Sequence, residues 1–235
     1  MAIRAIFFDI GDTLLFDDPP LRERFQIALR QAGIEYPEDG LAAAFRIGEE
    51  YAITQYREGL PFDDPQVMPE TAKRILTALG VPALTDAQWQ MLAEAFVGVG
   101  YTRRLHPQAL PLVAELRGRG FRVGAISDWE ETLPELLSDL DLAPYLDSLA
   151  VSAIVGVTKP DPRMFQEGLR QIGVAPEDAL HVGDWYELDV CGARAVGMQA
   201  ILFDHPRRRP DSDCPRVETF DQLAVLLLAL PCPAC

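Results

Sequence analysis

Ala2 to Phe8 form a short apolar run, rich in isoleucine and phenylalanine, that stops abruptly at Asp9-Ile10-Gly11-Asp12-Thr13. Its length and the glycine that follows predict a buried strand delivering a polar loop. From Pro19 to about Tyr101 the apolar positions recur at helical spacing instead. Helices are predicted over Pro20–Gln31, Glu38–Arg57, Pro69–Leu79 and Thr85–Val97, with Gly33, Gly59, Gly80 and Gly98 as stop signals and no convincing strand among them. Beyond His106-Pro107 the two patterns alternate. Helices are predicted over Gln108–Arg117, Glu130–Leu140, Pro162–Ile172, Glu187–Val196 and Phe220–Leu230, and strands over Phe121–Ser127, Leu149–Val151, Ala179–Val182 and Ala200–Phe203. Such repetition implies a parallel sheet covered on both faces. The expected fold is therefore α/β: a doubly wound, Rossmann-like core from residues 1–16 and 106–235, with an all-helical domain inserted over 17–105. Sheets of this kind bind ligands beyond the carboxyl ends of their strands, near the point where strand order reverses. The loops after Phe8, Ile126 and Val182 are thus the places to look for chemistry.

Composition narrows the function classes. Apolar residues make up 49% of the 235 and charged residues 24%, which suits a packed soluble domain with an insertion. A net charge of -15 repels nucleic acid and anionic membrane surfaces. The one basic run, Arg207-Arg208-Arg209, is short, lies between Pro206 and Pro210 and has no interleaved aromatic residues, so it reads as a solvated loop. No stretch reaches the ~20 apolar residues of a membrane span, and the start of the chain runs straight into a strand pattern without a cleavage site, so a cytoplasmic protein is expected. Cys191, Cys214, Cys232 and Cys235 fall late in the chain, and Cys232-Pro-Ala-Cys235 has no second pair, which favours free thiols over a metal or redox site. Among 21 lysines and arginines only Lys73 and Lys159 are lysines, which singles both out as candidates for a specific role.

Each of the three strand ends carries polar residues of the kind a phosphate site needs. Asp9-Ile10-Gly11-Asp12-Thr13-Leu14 follows the first, Ser127-Asp128 the second, and Gly183-Asp184-Trp185-Tyr186-Glu187-Leu188-Asp189 the third, with Gly156-Val157-Thr158-Lys159-Pro160-Asp161-Pro162 between the last two. In this order they resemble the four motifs of the haloacid dehalogenase superfamily. The resemblance runs from Ile3 through Phe203 and puts the helical insertion where that superfamily has its helical cap. A lone aspartate after a strand is a weak signal; Lys-Pro-Asp-Pro followed by Val-Gly-Asp and a further aspartate is specific.

The resemblance implies a Mg²⁺-dependent phosphatase acting on a small phosphomonoester metabolite through an aspartyl-phosphate on Asp9. The chemistry requires these residue types. Phosphomonoester hydrolysis needs a nucleophile, neutralisation of a group carrying about -1.5 to -2 charges, and protonation of the leaving oxygen. Asp9 is the implied nucleophile, repelled by phosphate until counter-charge is supplied. By the family's pattern Mg²⁺ would sit on Asp9, the Gly11 carbonyl and Asp184, with Asp189 close by. Lys159 would pair with a phosphate oxygen and the Asp9 carboxylate, and Ser127 and the Asp128 loop would complete the phosphate cradle.

Two positions depart from the pattern. Superfamily phosphatases usually have Asp-x-Asp-x-Thr, with the second aspartate as general acid and base; here that place is Gly11, and Asp12, one residue on, is expected to point elsewhere. Asp128 stands where asparagine is more usual, and a carboxylate beside a phosphate is unfavourable unless it faces away or is itself hydrogen-bonded. Two alternatives therefore accompany the phosphatase reading: a 2-haloacid dehalogenase using the same aspartate without metal, and a phosphate-binding member with little or no turnover. The Asp184 to Asp189 acid cluster argues for metal and against the dehalogenase. Tyr51, Tyr56, Arg57 and Trp89 on the inserted helices, and Trp185 and Tyr186 beside Asp184, are candidate substrate contacts. His106 suits a hinge, and His181, inside a predicted strand, reads as an ordinary core residue.

Overall fold

The opening strand, β1 (Ala5–Phe8), is buried throughout, and its side chains alternate between two cores. Ile6 and Phe8 join one apolar cluster, Ala5 and Phe7 the other, the period-2 signature of a strand covered on both sides. In the computed structural model, which describes residues 2–60, 64–204 and 212–233 with no account of the Arg57 side chain, β1 pairs in parallel with β4 (Arg122–Ser127) and β6 (Ala179–Gly183). With β5 (Ser148–Val151), β7 (Gln199–Phe203) and β8 (Arg216–Val217) they make a parallel six-stranded sheet of order β5-β4-β1-β6-β7-β8. The chain winds outward from β1 through β4 to β5, then crosses to build β6, β7 and β8 on the other side. Strand order thus reverses beside β1, where such sheets open a crevice.

Helices α5 (Ala109–Gly118), α6 (Leu133–Asp139) and α10 (Phe220–Leu228) cover one face, with Leu112, Leu116, Leu137 and Leu223 clustered on Ile6, Phe8 and Val123. The opposite face carries α8 (Pro162–Ile172) and α9 (Cys191–Ala195), whose Met164, Phe165 and Ala193 cluster with Phe7, Ile126 and Leu202. Each fully buried side chain of this size contributes about 1.5–3 kcal/mol through removal from water. This is the α/β architecture expected from the alternating pattern.

The chain divides into two compact units, Met1–Asp17 with Arg103–Cys235, and Asp18–Thr102. Among its described residues the second unit holds α1 (Leu21–Gln31), α2 (Leu41–Arg57), α3 (Val67–Ala78) and α4 (Asp86–Gly98). It has an apolar core of its own, in which Phe25 and Phe45 meet edge to face with centroids 5.5 Å apart. Thr85 and Gln88 form a capping box that fixes the start of α4.

Local differences from the sequence pattern have simple causes. β2 (Leu15–Asp18) and β3 (Thr102–Leu105) pair in a two-stranded ribbon where no strand is predicted. Each is four residues long and largely unburied, so neither carries an apolar run. The helix predicted over Glu187–Val196 opens as a π-turn over Tyr186–Val190 before becoming α9, and a single turn, α7 (Ser152–Val155), follows β5. The Arg207-Arg208-Arg209 run and Cys235 lie outside the described residues. Cys191, Cys214 and Cys232 form no disulfide, and among the described residues no helix is long and apolar enough to cross a membrane.

Candidate active site

Five of the predicted site residues, Asp9, Ser127, Lys159, Asp184 and Asp189, converge at the carboxyl ends of β1, β4 and β6. Register explains the meeting: Phe8 is level with Ala125 and Val182, so the residues just beyond all three strands emerge at one edge. The Asp9 N–H donates to the Val182 carbonyl at 2.8 Å, anchoring the nucleophile candidate to the neighbouring strand. Its Oδ1 accepts from the Ser127 hydroxyl at 3.1 Å and from the Lys159 ammonium at 2.8 Å. Lys159 arrives from the loop between α7 and α8. Its own N–H donates to both oxygens of Asp128, at 2.9 and 3.2 Å, so the unusual carboxylate of the second motif ties down the loop that delivers the lysine. Asp161 then caps α8 by accepting from the Arg163 N–H.

Asp189 is the hub of the cluster. Its Oδ1 accepts from Lys159 Nζ at 2.7 Å and lies 3.0 Å from His181 Nε2, while Oδ2 accepts the Trp185 N–H at 3.0 Å. The carboxylate folds back over the end of β6, and a β-carbon at Gly183 would run into it; only glycine leaves that room. The Asp189 N–H donates to the Trp185 carbonyl at 2.8 Å, and the Val190 N–H reaches the same carbonyl at 3.4 Å, the wider bond of the π-turn; together they fix where the carboxylate sits. His181 is fully buried, with its ring edge-on to Phe165, and its Nδ1 has no hydrogen-bond partner. A polar side chain inside a core strand carries little signal in sequence; the structure joins it to Asp189, a role that sequence periodicity could not supply.

Charge does not balance here. Asp9, Asp184 and Asp189 are buried, and one oxygen of each lies within 4.8 Å of the others. One buried ammonium, Lys159, faces them. Burial pushes the Asp9 carboxyl up from its usual range, Lys159 pulls it back and Asp189 pushes it up again. Burial also opposes the Lys159 charge, but Asp189, Asp9 and Asp128 outweigh it and hold the ammonium well above its ordinary value. Asp189 is likewise penalised by burial, yet Lys159 and His181 keep it well below the usual carboxylate range. An excess of buried carboxylates over ammonium is a set of hard oxygen donors that a divalent cation fits. Asp9, Asp184 and Asp189 are the carboxylates that could hold such an ion, and Asp189 in addition orients the lysine.

Other candidates are placed differently. The Tyr186 hydroxyl donates to Asp213 at 2.7 Å, which with burial pushes its pKa up to about 12; it is turned toward Arg194 and Asp213. The Trp185 backbone serves Asp189. In the helical unit Tyr51 carries the Arg74 guanidinium 4.2 Å over its ring, Trp89 packs against the local core, Tyr56 is half-buried, and the Arg57 side chain lies outside the described residues. His106 stacks on Phe220 with centroids 4.1 Å apart, and burial pulls its pKa down.

A doubly wound sheet with an acid–lysine cluster at its switch point defines a class of hydrolases. A sequence model of that class, haloacid dehalogenase-like hydrolase, matches residues 3–197. The chain is 31% identical to haloacid dehalogenase-like hydrolase domain-containing protein 3 of Homo sapiens, over 99% of this chain and 95% of that protein. It is 30% identical to a phosphoserine phosphatase of Thermus thermophilus, over 90% of this chain and 92% of that protein. A HAD-hydrolase of Bacillus subtilis solved with magnesium superposes with a TM-score of 0.65 at 20% identity, covering 97% and 99% of the two chains, a likeness of fold. The chain belongs to the haloacid dehalogenase-like hydrolase family.

Proposed function

We propose that this protein is a Mg²⁺-dependent phosphatase of small phosphorylated metabolites, working through an aspartyl-phosphate on Asp9, with the Asp18–Thr102 unit as its cap. The observation that carries the reading is the buried carboxylate excess around Lys159. A metal-independent dehalogenase has no use for three converging acids, whereas a phosphatase needs positive charge added at the point where its anionic nucleophile meets an anionic substrate. Bound Mg²⁺ would neutralise charge on the phosphoryl oxygens and hold Asp9 ionised.

The chain's own residues do the rest. Lys159 and Ser127 fix the plane of the Asp9 carboxylate through Oδ1, while Oδ2 accepts no hydrogen bond among the described residues. A substrate phosphoryl group meets a preset nucleophile, and Lys159 is within reach of the charge that develops on its oxygens. Asp189 and His181 keep the ammonium in place from behind. Water then attacks phosphorus, and the Asp9 carboxylate leaves. The relatives named as phosphatases support the same reaction class.

The test is phosphate release from a panel of phosphorylated metabolites, with Mg²⁺ and with chelator, for the protein and for Asp9→Asn. Metal-stimulated release that falls at least ~10³-fold in the variant is expected. Metal-independent halide release from 2-haloacids, without phosphate release, would replace this reading by dehalogenation.

A further inference from the structure

Position 11 is where this site lacks a proton carrier, and the structure shows what stands there instead. The Trp129 indole lies against Gly11, so that a β-carbon on the glycine would meet Trp129 Cζ3 at 3.4 Å. Ser152 holds the Trp129 backbone, accepting from its backbone N–H at 2.9 Å and donating to its carbonyl at 3.1 Å, and the Arg103 guanidinium lies 4.6 Å over the indole ring. Space beside Gly11 is thus bounded by an aromatic ring with no titratable proton.

Of the nearby acids, Asp9 and Asp184 belong to the carboxylate group that would hold the cation, and the others do not fill the gap. Asp12 adopts a left-handed backbone, φ 49, and is exposed, unlike the buried Asp9. Asp128 is committed to the Lys159 N–H, Ser127 to Asp9, and Asp189 to Lys159, His181 and the Trp185 N–H.

We propose that this site is built for phosphoryl donors whose leaving group departs without a proton, acyl phosphates foremost, and discriminates against phosphate esters of simple alcohols. The inference rests on the phosphatase reading above and narrows it to a substrate class. In the first step a bond forms between Asp9 and phosphorus as the phosphorus–oxygen bond to the leaving group breaks, and the leaving oxygen takes the electron pair. A carboxylate, whose acid has a pKa near 4, can accept that pair unaided, and a phenolate, near 10, less readily. An alkoxide, as basic as hydroxide with its conjugate acid near 15.7, cannot do so without an acid. In the second step water adds to phosphorus, the Asp9–phosphorus bond breaks, and Asp9 carboxylate and dihydrogen phosphate result. Asp9 is itself a carboxylate leaving group there, but no base at position 11 takes the water's proton, so the phosphoenzyme persists.

The experiment compares kcat/KM for acetyl phosphate, p-nitrophenyl phosphate, phenyl phosphate and O-phosphoserine in saturating Mg²⁺, using the full chain, Asp9→Asn and Asp12→Asn. Expected is a steep fall with leaving-group pKa, acetyl phosphate exceeding phosphoserine by at least ~10²-fold, the range that general acid assistance supplies. A burst of leaving group ahead of steady phosphate release should accompany the fast substrates. Asp12→Asn should leave all four within about threefold. Equal kcat/KM across the panel, or a loss in Asp12→Asn confined to phosphoserine, would overturn the proposal by revealing a proton donor. No Asp9-dependent release from any of the four would instead overturn the phosphatase reading, and this inference with it.

Discussion

At Asp9 function and folding pull in opposite directions. The carboxyl is buried, which raises its pKa above the ordinary 3.8, and Asp189 adds to the rise that Lys159 only partly offsets. A carboxyl whose folded pKa is raised favours the fold while protonated. As pH climbs through that raised value the folded protein must accept a buried anion, so the metal-free fold loses stability. Asp9→Asn removes this cost while keeping an acceptor for Lys159. Without Mg²⁺, calorimetry at neutral pH should show the variant melting higher, by about 2–4 °C for each kcal/mol recovered. Added Mg²⁺ should raise the melting point of the native protein more than that of the variant. A variant that melts lower in chelator would mean that the Asp9 charge is fully compensated by Lys159. Asp9, Ser127, Asp184 and Asp189, which meet in the candidate site, could be singled out in sequence because they lie at strand ends or in the segments that follow them, and Lys159 because it opens a Lys-Pro-Asp-Pro motif. Gly183, His181 and Trp129 were not, since their meaning lies in a folded-back carboxylate, a cross-turn hydrogen bond and a ring laid on a glycine, none of which a linear pattern encodes.

Between elements, the register of β4 and β5 is held from its far end by one side chain. Asp147 precedes β5; its N–H donates to the Val123 carbonyl at 2.6 Å, and its carboxylate accepts from the Val123 N–H, Arg117 and Arg122 at 2.9, 2.7 and 3.0 Å. Burial penalises the charge, but these donors outweigh it and hold the pKa below the ordinary 3.8. The contribution is complete above the unfolded value and drains away as pH falls through the lower folded one. Asp147→Ala should cost about 1.5–3 kcal/mol at neutral pH, as loss of a charged hydrogen-bond acceptor does. The difference from the native protein should shrink below pH 4, and kcat should be untouched because the residue stands at the opposite end of the strands from Asp9. An unchanged melting temperature at pH 7 would refute the clamp. The strands it aligns were readable in sequence from their apolar runs. The β2–β3 ribbon was not: Leu15–Asp18 and Thr102–Leu105 contain too few buried positions to show an alternation, and they become strands by pairing with each other across more than eighty residues of sequence.

For the molecule as a whole, the net charge of -15 opposes the approach of any phosphorylated substrate, even though the mouth of the sheet offers the Lys159 ammonium. Long-range repulsion acts on encounter, while the local positive groups act only at short range, and salt separates the two. The screening length falls from about 30 Å at 0.01 M to about 8 Å at 0.15 M ionic strength, so added salt removes the repulsive field before it reaches the buried contacts. At fixed free Mg²⁺ and neutral pH, raising NaCl across that range should increase kcat/KM for a doubly charged substrate on the order of two- to fivefold and leave kcat unchanged. A neutral-salt series read by stopped-flow encounter rates would measure the same effect directly. A fall in kcat/KM with salt would mean that the field at the carboxyl ends of β1, β4 and β6 is positive well beyond the site. Substrate capture would then be governed by the loaded metal and Lys159, with the acidic surface contributing nothing to the approach.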